Sequence, residues 1–320
     1  MPDRLYVSVS PHIHSGESVP RVMRTVFIAL IPSGLAGVFI FGFPALKVML
    51  ISILSCLITE CLIQKARRQK IAASDGSAAL TGLLLAYNLS SNVPFWIPLA
   101  GGIFAIAIAK QAFGGLGANI FNPALAARAF LLASWPKHMT EFLRPFSADG
   151  ITQATPLTVI KEGAVKGLSD LGISYWDLFL GRRGGCLGEV CIIALLLGAL
   201  YLLWKGYIWY HAPAGFVLTV GGLSWIFAAQ GFLKGDFLFS VLAGGLILGA
   251  FYMATDYVTT PITKRGQLVF GIGCGIIAFV IRRFGGYPEG VSYSILIMNA
   301  LTPLIDRYLR PRKYGLSKSK

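Results

Sequence analysis

The stretch VMRTVFIALIPSGLAGVFIFGF, residues 22–43, decides the fold. Arg24 is its one charged residue, and its length meets the roughly 20 mostly apolar residues that a helix needs to cross a hydrocarbon core of about 30 Å. It starts only at residue 22 and is longer than a signal-peptide core, so it reads as a retained span rather than a cleaved leader. Spans of the same kind read at 45–63, 94–112, 120–135, 187–204, 208–229, 237–255, 266–281 and 291–305. Segment 77–89 is apolar but short, an interfacial or broken helix. Counting it makes ten elements and returns both chain ends to one side. Hydrophobic residues fill 55% of the 320 positions and charged residues 13%, a balance too apolar for a water-soluble domain. The expected fold class is an all-α polytopic membrane protein of about ten transmembrane or half-membrane helices.

The net charge of +14 does not describe a nucleic-acid surface, because the basic residues gather at helix ends and not on one face. With the N-terminus inside, 17 Lys and Arg fall on the cytoplasmic side, among them Lys65, Arg67, Arg68, Lys110, Lys264, Arg265 and Arg307. Lys47, Lys234, Arg282 and Arg283 make only 4 on the other side; long translocated segments weigh little in orientation, so the basic residues of 136–185 are left out. Both termini are then cytoplasmic and 136–185 is external. The chain divides into a cytoplasmic N-terminal segment 1–21, a first five-helix block 22–135, the external loop 136–185, a second five-helix block 186–306 and a basic cytoplasmic tail 307–320. Cys56, Cys61, Cys186, Cys191 and Cys274 lie in or beside spans without Cys-x-x-Cys spacing, and read as small apolar packing groups.

Five elements on each side of the loop are the arrangement of an inverted repeat, since an odd number of crossings turns the second copy over. Two echoes support it: Phe113-Gly114-Gly115 before the fifth element matches Phe284-Gly285-Gly286 before the tenth, and Asp75-Gly76 before the third matches Gly235-Asp236 before the eighth. The carboxylates Glu60, Asp75, Asp236, Asp256, Glu289 and Asp306 all fall near helix ends, where solvated or capping roles are expected.

The loop holds Ser147-Ala148-Asp149-Gly150-Ile151-Thr152-Gln153-Ala154-Thr155-Pro156-Leu157, of the form Asp-x-x-Thr-x-Ala-Thr. Pro156 suits the first position of a helix reaching about residue 162, which makes Thr155 its N-cap in an exposed loop. Asp149 with Gly150 also fits an ordinary turn. The motif resembles the sequence on which a flavin transferase esterifies FMN to a threonine. The chain is similar in this to the D subunit of the Rnf ion-translocating ferredoxin:NAD oxidoreductase, a family that includes the B subunit of the sodium-translocating NADH:quinone reductase. The stretches 114–124 (GGLGANIFNPA) and 285–290 (GGYPEG), with Met298-Asn299 and Pro303-Leu304-Ile305-Asp306, carry the same resemblance over nearly the whole chain. Gln153 departs from it, standing where glycine is frequent.

The resemblance implies two inverted five-helix halves related to urea-transporter-type folds, FMN covalently bound at Thr155, and Asp149 and Thr152 as recognition residues for the transferase. It leaves room for a second, noncovalent flavin such as riboflavin. A phosphoester at Thr155 would sit at the positive end of the helix dipole. Arg128 stands in mid-span, where a charge costs about 3 kcal/mol on insertion scales and calls for a partner. It can hold a flavin phosphate, a ribityl chain or a carboxylate such as Asp75, or form a structural pair between the repeats. Asn119, Asn122 and Asn299 lie at Gly/Pro-rich helix starts whose free backbone groups commonly line a site.

The sequence has no phosphate loop with its lysine, no Gly-x-Gly-x-x-Gly turn for NAD and no cysteine set for an iron–sulfur cluster. Electrons must therefore come from and go to neighbours. The resemblance names them as an NADH-reactive subunit, iron–sulfur carriers and a second flavinylated subunit, in a bacterial cytoplasmic membrane. The tail 307–320 can meet such partners or anionic lipid. The alternative reading is a urea-transporter-like channel or secondary transporter with no redox role.

Overall fold

The computed structural model describes residues 17–69, 73–146, 152–162, 172–228 and 231–310. Helix α1 (Val19–Phe41) ends at Gly42, whose backbone at φ 71° lies in the left-handed region that glycine enters without strain. Helix α2 (Phe43–Ala66) returns at once. The pair buries Leu30, Ala45, Val48, Ser52 and Cys56 and turns Leu35, Phe39, Leu50, Leu54 and Leu62 outward. Phe39 is 80% exposed, a face that suits acyl chains and not water.

Helix α3 (Ser77–Tyr87) has 11 residues, about 16 Å, and so reaches only half-way through a bilayer. Asp75 starts it by accepting from the Ser77 N–H at 2.7 Å. Helix α4 (Trp96–Ile103) continues as a π-helix, Phe104–Lys110, and a short 3₁₀ turn, Gln111–Phe113. The expected span 120–135 is shorter than the hydropathy suggests. Pro123 and the Asn122 side chain, which accepts from Ala124 and Leu125 N–H, start α5 (Pro123–Ser134) late, at 12 residues. A short helix α6 (Pro136–Thr140) follows, then strand β1 (Phe142–Leu143), which pairs antiparallel with β2 (Thr152–Gln153), and helix α7 (Pro156–Lys161). Helix α8 (Tyr175–Leu180) is started by a capping box of Ser174 and Asp177.

After the loop come α9 (Ile192–Trp204), α10 (His211–Ile226), the hairpin β3 (Phe227–Ala228) and β4 (Gly231–Phe232), α11 (Phe237–Leu242), α12 (Leu246–Leu248) with its π-helical continuation Gly249–Met253, α13 (Lys264–Phe284) and α14 (Val291–Tyr308). The expected span 237–255 is broken at Ala243-Gly244-Gly245, with Gly244 at φ 74°. Asp236 caps α11 by accepting from the Phe239 N–H at 2.8 Å, the counterpart of Asp75. The same long-range bond also occurs in each half: Tyr87 donates to the Leu30 carbonyl at 2.7 Å and Tyr252 to the Leu195 carbonyl at 2.8 Å, both across 57 residues. The halves meet where the Asn88 amide reaches Met253 Sδ at 3.7 Å. One hydrophobic cluster joins them.

Among the described residues, α1, α2, the composite helix Trp96–Phe113 and α13 are long and apolar enough to cross a membrane. With the half-length helices between them they make a polytopic all-α membrane protein. Lys264 lies 4.3 Å over Trp209 and Lys205 5.3 Å over Trp204, the aromatic and basic pairing typical of a membrane–water boundary. Two residues leave the loop-charge tally, because Lys110 is buried against Glu60 and Arg282 donates to the Ser240 and Ala243 carbonyls. The bias becomes 16 to 3 and keeps its direction.

Candidate functional site

Thr155 is the N-cap of α7, with extended backbone, and Pro156 occupies the first turn. Its Oγ1 accepts from the Thr158 N–H at 3.3 Å and lies 2.8 Å from the Thr158 hydroxyl. The sequence places Thr155 in an exposed loop; the structure buries it to 5% exposure. One local and one long-range attachment explain the difference. The β1–β2 pairing draws the chain back over the bundle, and Lys161 Nζ donates to the carbonyls of Ile281, at 3.3 Å, and Tyr287, clamping α7 to the end of α13. Partial burial pulls the Lys161 ammonium below its ordinary pKa.

Thr155 lines a cavity of about 640 Å³ whose walls include Arg128, Phe142, Lys161, Tyr287, Glu289 and Tyr293. Tyr287 and Tyr293 stack with centroids 5.4 Å apart and planes 25° apart. The cavity therefore combines an aromatic wall, two cations, two carboxylates (Glu162 and Glu289) and a hydroxyl at a helix start. Thr152 is exposed in β2 and is not part of these walls, and Asp149 lies outside the described residues.

Arg128 projects from α5 and is held from both halves. It donates to Asn88 Oδ1 at 2.6 Å and to Glu289 Oε2 at 2.7 Å, and approaches Cys186 Sγ at 3.8 Å. Its carboxylate is Glu289 and not Asp75, which caps α3. Glu289 also departs from the solvated role expected of it, since it sits near a helix end yet its side chain is only 12% exposed. The link between Gly285 and Gly290 folds inward there, because Arg128 supplies the charge that offsets the loss of solvation.

Behind this pair lie Glu189, Arg183 and Arg282. Glu189 accepts from the Cys186 N–H at 2.8 Å, and Arg183 donates to the Glu189 carbonyl at 3.1 Å. Glu189 Oε2 and Glu289 Oε1 have no hydrogen-bond donor among the described residues. A Cβ at Gly245 would stand 3.1 Å from the first, and one at Gly244 3.3 Å from the second, so both carboxylates press on the break between α11 and α12. Sequence reasoning missed Glu189, Lys161, Tyr287 and Tyr293 as site residues. The one available signal was the need of mid-span Arg128 for a carboxylate.

Glu60 likewise leaves its expected solvated role. Lys110 Nζ lies 2.6 Å from both Glu60 Oε1 and Ser77 Oγ, and Gln111 Nε2 donates to Glu60 at 3.0 Å. The π-helical turn brings Lys110 inward to this pair. Lys110, Ser77, Asn119 and Asn122 line a second cavity of about 70 Å³.

Comparison with known proteins gives relatives over nearly the whole chain. A protein 48% identical over 318 residues, covering 99% of this chain and 97% of the relative, is the D subunit of the Na(+)-translocating ferredoxin:NAD(+) oxidoreductase complex of Acetobacterium woodii. One at 47% over 316 residues, 97% of this chain and 96% of the relative, is the D subunit of the proton-translocating ferredoxin:NAD(+) oxidoreductase complex of Clostridium ljungdahlii. The D subunit of the ion-translocating oxidoreductase complex of Escherichia coli is 37% identical over 349 residues, covering 98% of this chain and 99% of the relative. The match to the NQR2, RnfD, RnfE family runs from residue 6 to residue 315, and the chain belongs to that family.

Proposed function

We propose that this chain is the membrane flavoprotein subunit of an Rnf-type ion-translocating ferredoxin:NAD oxidoreductase, with FMN bound covalently through a phosphoester at Thr155. The observation that carries the reading is the position of Thr155, at a helix start on the wall of a cavity lined by two tyrosines and by charged side chains of both signs. The volume, about 640 Å³, falls within the roughly 300–1,000 Å³ of small-molecule sites. The local bonding also fits esterification. Thr155 Oγ1 can serve as acceptor in both of its contacts with Thr158, so replacing its proton by phosphorus need break neither. Arg128 and Lys161 would face the anionic ligand, and Tyr287 and Tyr293 its ring. FMN held there would supply a carrier of one or two electrons.

Asp149 and Thr152 are assigned to recognition by the flavin transferase, for which an exposed Thr152 is accessible. The halves 22–135 and 186–306 are read as inverted repeats around the flavin-bearing segment, in a bacterial cytoplasmic membrane with both termini inside. The partners are the NADH-reactive, iron–sulfur and second flavinylated subunits, with lipid around the apolar belt. Relatives of nearly equal identity bear names with different cations, so identity does not choose between Na⁺ and H⁺. A second, noncovalent flavin such as riboflavin would have to widen the 70 Å³ cavity at Asn119 and Asn122.

The test is expression with a flavin transferase, followed by a denaturing gel viewed under ultraviolet light and intact-mass measurement. A fluorescent band with an FMN-sized mass increment supports the reading, and a colourless native chain defeats it. The purified subunit should be reduced by dithionite but not by NADH.

A further inference from the structure

Five charged side chains gather behind the Thr155 cavity: Arg128, Arg183, Arg282, Glu189 and Glu289. Three guanidiniums face two carboxylates there. Arg183 and Arg282 direct their hydrogen bonds to backbone carbonyls, and among the five only Arg128 and Glu289 form an ion pair within 4.0 Å. These two are also the members that line the cavity. Their side chains are 11% and 12% exposed, so their charges face each other and the cavity rather than bulk solvent.

We propose that Arg128 and Glu289 are positioning residues that set the reduction potential of the ligand in this cavity, Arg128 raising it and Glu289 lowering it. The proposal rests on the flavin reading above. Uptake of two electrons from a neighbouring iron–sulfur or flavin carrier and one proton from the aqueous side leaves an isoalloxazine with one negative charge. A fixed cation nearby favours that state and a fixed anion opposes it. One unit charge at about 12 Å in an effective dielectric of about 20 biases the reduced-to-oxidised ratio about tenfold. For a two-electron couple that is ~30 mV.

The experiment is a potentiometric titration of the visible absorbance of the full flavinylated chain and its variants. Glu289→Gln, which keeps an acceptor for Arg128, should shift the ratio about tenfold toward the reduced form at fixed potential. Arg128→Gln should shift it by a similar factor the other way, the double variant should lie between, and Arg128→Lys should stay near the parent. A role confined to packing would move both single variants in one direction or neither, and either result overturns the proposal. Glu289→Gln carries the test alone should Arg128→Gln fail to assemble. A parent chain without covalent flavin defeats the proposed function instead, which separates the two failures.

Discussion

Two buried ion pairs of this chain differ in what surrounds them. Glu60–Lys110 is sealed, each side chain 2% exposed, with Ser77 and Gln111 bonded to it and only a 70 Å³ cavity alongside. Arg128–Glu289 joins the two halves at the wall of a cavity about nine times larger, with Thr155 on the same wall. The first pair ties helices of one half together. The second holds charge where a ligand can feel it. On the proposed reading, what separates the two pairs is not burial but the accessible volume beside the second.

The largest effect is expected at Thr155, on the wall that only the second pair shares. Thr155→Val should abolish the covalent flavin and leave the helices folded, as read by intact mass and circular dichroism. An FMN-sized increment retained in the variant would move the attachment to another hydroxyl and leave the second pair beside an ordinary helix cap.

The two ends of the molecule should also differ in access. In a background without native cysteines, Arg182→Cys should react with an impermeant thiol reagent on right-side-out vesicles, and Arg307→Cys only after permeabilisation. Both positions are exposed, so the contrast reports sidedness. The reverse pattern would invert the topology and put the Thr155 cavity on the cytoplasmic side.

A smaller effect distinguishes the pairs by stability. Lys110→Met leaves Glu60 charged and sealed, at an expected cost of about 3–5 kcal/mol, and adding Glu60→Leu should restore most of it. Arg128→Gln should cost less, because the adjoining cavity admits water to Glu289. Thermal unfolding in detergent measures both, and equal losses would mean that the cavity makes no difference to its pair.

The smallest effect lies on the exposed rim, where Tyr175 donates to Asp236. That hydrogen bond raises the Tyr175 pKa, so its stabilisation is complete below the unfolded value near pH ~10 and is lost as pH rises through the folded one. Tyr175→Phe should cost less than about 1 kcal/mol and flatten this alkaline loss, since water competes at an exposed pair. An unfolding midpoint measured across alkaline pH checks it.

The membrane class was legible from 22–43 and its companions because hydropathy is a local property, summed over one helix at a time. The N-cap at Thr155 was equally legible, since Pro156 fixes its own φ and needs no distant partner. Residues whose role depends on the other half were not. Glu289 lies 161 positions from Arg128, and nothing near either predicts the other. Thr155 was expected in the open and is covered, because the bonds that dock α7 come from Lys161 to residues 281 and 287, over a hundred positions away. The short α3 was legible from its own apolar run, whereas α5 was blurred, as apolar residues precede the point where Asn122 starts the helix. Composition and local stereochemistry determine that this chain enters a bilayer and where its helices can begin. Which charges meet inside, and which of them border a cavity, is decided only when the two halves pack, because a buried charge takes whatever partner the fold brings within reach.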